Sequence, residues 1–190
     1  MTSLKLAGRV PSIWVIETED DLNHIPKNYK TIGAGSNIII DPNISYPLIK
    51  VSPDFVPITI DDDCITCSAG TSISKLLKWM SKHNRSGLEF AAGVPASIGG
   101  MVAMNFECWG VEVSTFVDSV LVYTEENGIH WVSKSDYQIG YRWTSFHDTD
   151  TIILAVKLKT IELDSESICN ICRENIVNSN GNTILRKLNS

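Results

Sequence analysis

The chain has 190 residues, 43% of them apolar and 20% charged, with a net charge of −6 and a pI near 5.2. That length supports one domain or a closely joined pair with a real core. With no basic block, nucleic acid and anionic membranes are not expected partners. With neither a secretory apolar stretch near Met1 nor an apolar run of about 18 residues, the expected location is the cytoplasm.

In chain order, Ser12–Glu17 predicts a first strand, and Thr18 with the acids behind it predicts a short helix. Tyr29–Ile32 and Ile38–Ile40 read as two short strands joined by the turn Gly33-Ala34-Gly35-Ser36-Asn37, with Asp41-Pro42-Asn43 breaking the second. Leu48–Ser68 holds β-branched runs interrupted by Pro53, Pro57 and Asp61-Asp62-Asp63, which predicts consecutive strands. Thr71 is placed to cap a helix whose apolar positions Ile73, Leu76, Leu77 and Met80 share one face. Lys75, Lys78 and Lys82 lie on its wet side. A second helix is expected from Ser97 to about Asn105.

Phe116–Tyr123 and Ile129–Val132 predict a hairpin across Glu125-Glu126-Asn127-Gly128. A turn of helix at Ser135–Gln138 and a final strand at Thr151–Lys159 follow. Ser165–Lys187 has a helical pattern that Asn178–Asn182 interrupts, and the last residues are expected to fray. Strands outnumber helices and cluster, so the fold class is α+β. A Rossmann reading of Gly33-Ala34-Gly35 fails, because the third glycine would fall at Ile38 and strand-like residues follow where a helix is required.

Five cysteines, without a signal peptide, read as reduced thiols. Cys64/Cys67 and Cys169/Cys172 have Cys-x-x-Cys spacing, which leaves a zinc site to weigh against core packing. Strand residues three apart point to opposite faces, which opposes chelation by the first pair, and no metal is assigned.

The most informative segments are the 33–37 turn and Gly93-Val94-Pro95-Ala96-Ser97-Ile98-Gly99-Gly100, which clears side chains from the start of a helix. Backbone N–H groups left bare in two such bends suit a diphosphate gripped from two sides.

Together with Ser86–Ala92, Asn105, Trp109-Gly110-Val111-Glu112-Val113, Gly140-Tyr141-Arg142 and Phe146, these segments resemble the FAD-dependent UDP-N-acetylenolpyruvoylglucosamine reductases of peptidoglycan synthesis, over residues 14–162. The resemblance implies a two-subdomain FAD-binding fold of the vanillyl-alcohol-oxidase (PCMH) type. A small subdomain would span residues 1–56, a larger α+β one 57–162, and a helical tail 163–190. It implies that Gly33, Ala34, Gly35, Ser36, Asn37, Gly93, Val94, Pro95, Ala96, Ser97, Gly99, Gly100, Asn105 and Gly110 bind FAD. NADPH would be the electron donor and a UDP-sugar the substrate. Arg142, with Tyr141 beside it, would be catalytic, polarising the carboxylate of an enolpyruvyl group. From the residues alone, Arg142 also suits a salt bridge, Tyr141 a core position, Asn105 a backbone cap and Cys108 a buried thiol.

The chain departs from the family in three ways. No Ala-Gly-Ser-x-Phe-Lys-Asn-Pro-like segment follows the last strand, so the third domain that carries the proton donor and covers the substrate is expected to be missing. Ser3–Pro11 lacks the family's Thr-Thr-Phe-x-Ile-Gly-Gly opening. Cys108-Trp109 and Ala96 replace Ala-Tyr and Gly. A homo- or hetero-oligomer would then cover the open site. The alternative function is a non-catalytic nucleotide- or partner-binding module.

Overall fold

The computed structural model describes residues 10–39, 41, 44–147 and 149–188, with side chains through Asn178. Strands β1 (Ile13–Ile16), β2 (Lys30–Thr31) and β3 (Leu48–Val51) form a parallel sheet in the order β1-β3-β2. Between β1 and β2 lies one 3₁₀ helix, Glu19–His24. The Asp21 carboxylate starts it by accepting from the N–H groups of Glu17 (2.9 Å) and Thr18 (2.8 Å). Pro26 ends it by forcing Ile25 into extended backbone.

Ile38 and Ile39 do not form the expected strand, and Ile40, Pro42 and Asn43 lie outside the described residues. The ladder position beside β2 is taken by the segment leading into β3 instead. Lys30 N–H donates to Pro47 O and Ile32 N–H to Ile49 O.

The second sheet is antiparallel and five-stranded. It comprises β4 (Thr59–Asp61), β5 (Cys64–Ser68), β6 (Val117–Thr124), β7 (Gly128–Ser133) and β8 (Ile152–Lys159), ordered β7-β6-β8-β5-β4. The strands expected between Leu48 and Ser68 are therefore divided between two sheets. The expected β6–β7 hairpin is present, and Gly128 takes the left-handed φ of +64° that its turn demands.

Helix α1 (Ile73–Lys82) buries Ile73, Leu76, Leu77 and Met80 as their spacing predicts. Its cap is Ser72 rather than Thr71: Ser72 Oγ accepts from Lys75 N–H, while Thr71 Oγ1 turns to Pro53 O. Helix α2 (Ile98–Ala103) is shorter than expected, because Asn105 adopts a left-handed φ of +38° and Phe106 N–H doubles back to Met101 O. Helix α3 (Ser165–Leu188) runs through Asn178–Asn182 without a break. One glycine there costs only about 1 kcal/mol, too little to end a helix of this length.

The main core joins α1 and α2 to the large sheet through Ile65, Leu76, Met80, Ile98, Val120 and Leu158. A smaller core of Ile16, Leu22, Ile49, Ile152 and Leu154 fastens the parallel sheet to β8. Strand β8 thus feeds both cores. Among the described residues, no helix is long and apolar enough to cross a membrane.

Candidate functional site

Where the two sheets meet, a cleft of about 790 Å³ opens between the 33–37 turn and the start of α2. The two bends touch. A methyl on Gly33 would stand 2.6 Å from Ser97 Oγ and 3.3 Å from the Cα of Gly100. Gly33, Ala34, Gly35, Ser36 and Asn37 line the cleft from one side, and Val94, Pro95, Ala96, Ser97, Gly99 and Gly100 from the other.

The donors are distributed differently from the sequence expectation. The first N–H groups of α2 are already used: Ile98 donates to Thr71 O, Gly99 to Ala69 O and Gly100 to Ser97 Oγ. The turn is the donor-rich side. Among the described residues, the N–H groups of Gly33, Ala34, Gly35 and Asn37 have no acceptor, and Gly35 is buried with φ at +72°. A buried amide without a partner costs about 1–3 kcal/mol, which an anionic oxygen would recover.

Glycines 99 and 100 serve different surfaces. A methyl on Gly99 would meet the side chain of Ala69 at 2.7 Å, so that glycine lets α2 dock on the β5–α1 connection. A methyl on Gly100 would meet only Ser97 Oγ (3.2 Å) and the Cα of Gly33 (3.8 Å) and otherwise stands in the cleft.

Arg142 lines the cleft at the tip of a small hairpin in which Ile139–Gly140 pairs with Trp143–Thr144. Its guanidinium donates to Glu107 O at 3.4 Å and lies 5.9 Å from the centre of the Tyr141 ring. No carboxylate pairs with it among the described residues. Lys30 and Lys50 also line the cleft, and among the described residues no Asp or Glu does.

Four sequence-derived site residues stand apart from this lining. Tyr141 is 78% exposed, not a core tyrosine. Asn105 is 1% exposed, and its amide donates to Gly140 O at 3.0 Å, so it braces the Arg142 hairpin from beneath. Among the described residues its Oδ1 has no partner. Gly110, with φ at +76°, closes the turn between Glu107–Cys108 and Val111–Glu112. Gly93, with φ at +83°, faces Ile176 of α3.

Sequence reasoning missed Lys30, Lys50, Ala69, Gly70, His147 and Thr149 among the lining residues. Gly70 carried a usable signal, a glycine two residues before a capping serine. A methyl there would run into the backbone of Val51 and Pro53, where β3 ends against β5.

The cysteines are placed in packing. Cys67 is fully buried, and burial pushes its thiol up to about 12. Burial raises the Cys108 thiol, with Glu107 adding to the effect and Arg142 opposing it. Among the described residues, no three His, Cys, Asp or Glu side chains group as a metal site.

A cradle that a single methyl would fill, turn amides without acceptors among the described residues, and a wall that carries Lys30, Lys50 and Arg142 together fit a flavin dinucleotide. Comparison with known proteins agrees. The family model described as "FAD binding domain" matches residues 21–133, more than half of the chain. The UDP-N-acetylenolpyruvoylglucosamine reductase of Clostridium tetani is 33% identical over 181 residues, covering 91% of this chain and 59% of that protein. The enzyme of the same name from Bacillus pumilus is 30% identical, covering 92% and 60%. The chain thus spans about three-fifths of the length of these relatives.

Among solved structures, UDP-N-acetylenolpyruvylglucosamine reductase from Thermus caldophilus superposes with a TM-score of 0.77 at 27% identity, covering 89% of this chain and 62% of that one. Alkyldihydroxyacetonephosphate synthase, at 16% identity and a TM-score of 0.58, shares the fold. The α+β architecture is accordingly the FAD-binding fold of the vanillyl-alcohol-oxidase (PCMH) type. The chain belongs to the FAD binding domain family and is related, over most of its own length, to the UDP-N-acetylenolpyruvoylglucosamine reductases.

Proposed function

We propose that the chain holds FAD in the cleft and acts as a flavin-dependent oxidoreductase on an anionic small molecule of the UDP-sugar class, with NADPH as donor, in the cytoplasm. The observation that carries this reading is the meeting of Gly33 with Gly100 beside a cleft lined by Lys30, Lys50 and Arg142. The 33–37 turn supplies amide donors to the pyrophosphate, and Val94–Ser97 walls its other side. In this reading residues 1–56 and 57–162 are the two halves that enclose the cofactor, with 163–190 attached behind them.

The chemistry that flavin supplies when bound is hydride transfer from a nicotinamide to an electron-poor double bond. Arg142 has the properties to orient the acceptor. Its planar fork matches a carboxylate bidentately, and its charge favours the negative charge that develops there as hydride arrives. The bond to Glu107 O and the bracing of Gly140 by Asn105 fix the direction of that fork.

One spectrum tests the core of this reading. The purified or FAD-reconstituted protein is expected to show a flavin band at about 450 nm that bleaches when NADPH is added without oxygen. A protein that takes up no FAD refutes the reading. One that binds FAD and is not reduced by NADPH is a binding module or uses another donor.

A further inference from the structure

Helix α3 packs against the segment that leads into the wall of the cleft. Asn175 Nδ2 donates to the backbone carbonyl of Glu89 at 2.9 Å. One residue on, Ile176 Cγ1 stands 3.3 Å from where a methyl on Gly93 would be. These two contacts bracket Glu89–Gly93, a segment held in one 3₁₀ turn, with Ala92 N–H on Glu89 O and Val94 N–H on Ala91 O. The same chain then becomes Val94–Ser97, the wall of the cleft. The Glu89 carboxylate fixes the front of the segment by accepting from Gly87 N–H at 2.9 Å. Gly93, read from sequence as a cofactor residue, is the seat for Ile176.

The anchoring of α3 itself is separate. Near its start Ile168 is fully buried, and Ser165 and Cys169 meet Ser81 of α1. Ile176 is 39% exposed and contributes little to the core. Its contact matters for where the wall stands more than for whether the chain folds.

We propose that Asn175 and Ile176 are positioning residues for the cofactor site: α3 presses the 89–93 turn into the place from which Val94–Ser97 faces the 33–37 turn. The inference rests on the flavin reading above. Binding energy and loop position are then coupled, and the coupling is reciprocal: FAD must steady the second half of α3 as much as α3 favours FAD.

The test uses the full chain stripped of flavin. FAD affinity is titrated by fluorescence quenching, and the melting midpoint of the apo form is measured alongside. Asn175→Ala and Ile176→Ala are expected to weaken FAD about tenfold while shifting the apo midpoint by no more than about 3 °C. Ile176→Val should recover most of the affinity. Ile168→Val, at the far end of the helix, should lower the apo midpoint with wild-type affinity. Amide exchange across 171–177 should slow when FAD is added. Wild-type affinity in both Ala variants, or affinity that tracks the melting midpoint across all four, overturns the proposal by making α3 a stabiliser alone. A wild-type chain that binds no FAD overturns the flavin reading itself, and the proposal with it.

Discussion

Two neighbouring glycines should respond to the same substitution in opposite ways. Gly100→Ala places a methyl at a helical position, a gain of about 1 kcal/mol in helix propensity. Against this, the methyl crowds Ser97 Oγ at 3.2 Å and disturbs a capping bond that is already 3.4 Å long. Losing a bond of that quality costs about 0.5–1 kcal/mol. The sum is close to zero, and the melting midpoint should move by no more than about 3 °C. The same methyl stands between α2 and the donors of the 33–37 turn, in the space a phosphate needs. Forfeiting one charge-assisted hydrogen bond there, worth about 1.5–3 kcal/mol, weakens FAD about 10- to 150-fold.

Gly99→Ala instead drives a methyl to 2.7 Å from Ala69 Cβ and 3.2 Å from Ala69 O. Overpacking of that kind costs about 1–3 kcal/mol, which the same propensity gain of about 1 kcal/mol reduces to at most about 2, a drop of up to roughly 8 °C, with affinity intact in the folded fraction. Thermal melts of the apo forms and FAD titrations of both variants separate the two outcomes. Wild-type affinity in Gly100→Ala would refute the placement of the pyrophosphate over α2.

Arg142→Ala should leave FAD bound and abolish turnover, seen as an unchanged visible spectrum with no NADPH-dependent reduction of acceptor; loss of flavin would make the residue structural. Asn105→Leu removes the donor to Gly140 O from a site with left-handed backbone, so it should lower stability by about 2–3 kcal/mol in denaturant melts. An unchanged midpoint would return Asn105 to the ligand. At alkaline pH the protein should weaken. Burial raises Cys67 to about 12 and Cys172 to about 11, and it raises Tyr29 and Tyr137 to about 12, above unfolded values of 9.0 for the thiols and 10.0 for the phenols. The folded chain keeps protons that the unfolded chain releases. Their contribution is therefore full below about pH 9 and declines as pH rises from there through 11–12, so melts should hold level near neutrality and fall above about pH 9. A midpoint that stays flat to pH 11 would contradict the burial of these groups.

Local signals in the sequence were legible where one physical rule decided them. The face of α1 followed from the spacing of Ile73, Leu76, Leu77 and Met80, and the β6–β7 turn followed from Asn127-Gly128. Thr71 and Ser72 show the limit. Both suit a cap, and the choice fell to Pro53 O, a group 18 residues away that takes the Thr71 hydroxyl. Ile38–Ile40 read as a strand because nothing local says that Pro47–Ile49 will occupy the ladder position beside Lys30–Ile32. At the site, the sequence supplied the two bends but not the division of labour within them. A glycine that leaves a cleft open, such as Gly100, looks the same in sequence as one that admits Ala69 or Ile176, such as Gly99 or Gly93.

The charge pattern explains how an acidic chain presents a cleft suited to an anion. Near the β4–β5–β8 side, Lys157 pairs with Asp61, Lys159 with Asp118, and Arg85 with Asp63 and Glu162. Lys75 of α1 pairs with Asp54. Those cations are neutralised by acids within 4 Å. Among the described residues, Lys30, Lys50 and Arg142, which line the cleft, have no such acid, as is also true of Lys27, Lys78, Lys82, Lys134 and Arg173 away from it. At physiological ionic strength the field of a distant carboxylate fades over about 8 Å, so the net charge of −6 governs the outer surface rather than this wall. A diphosphate arriving at the turn meets unpartnered amides and unpaired cations together. Neither alone would set the site apart from an ordinary glycine bend; the two in one cleft do.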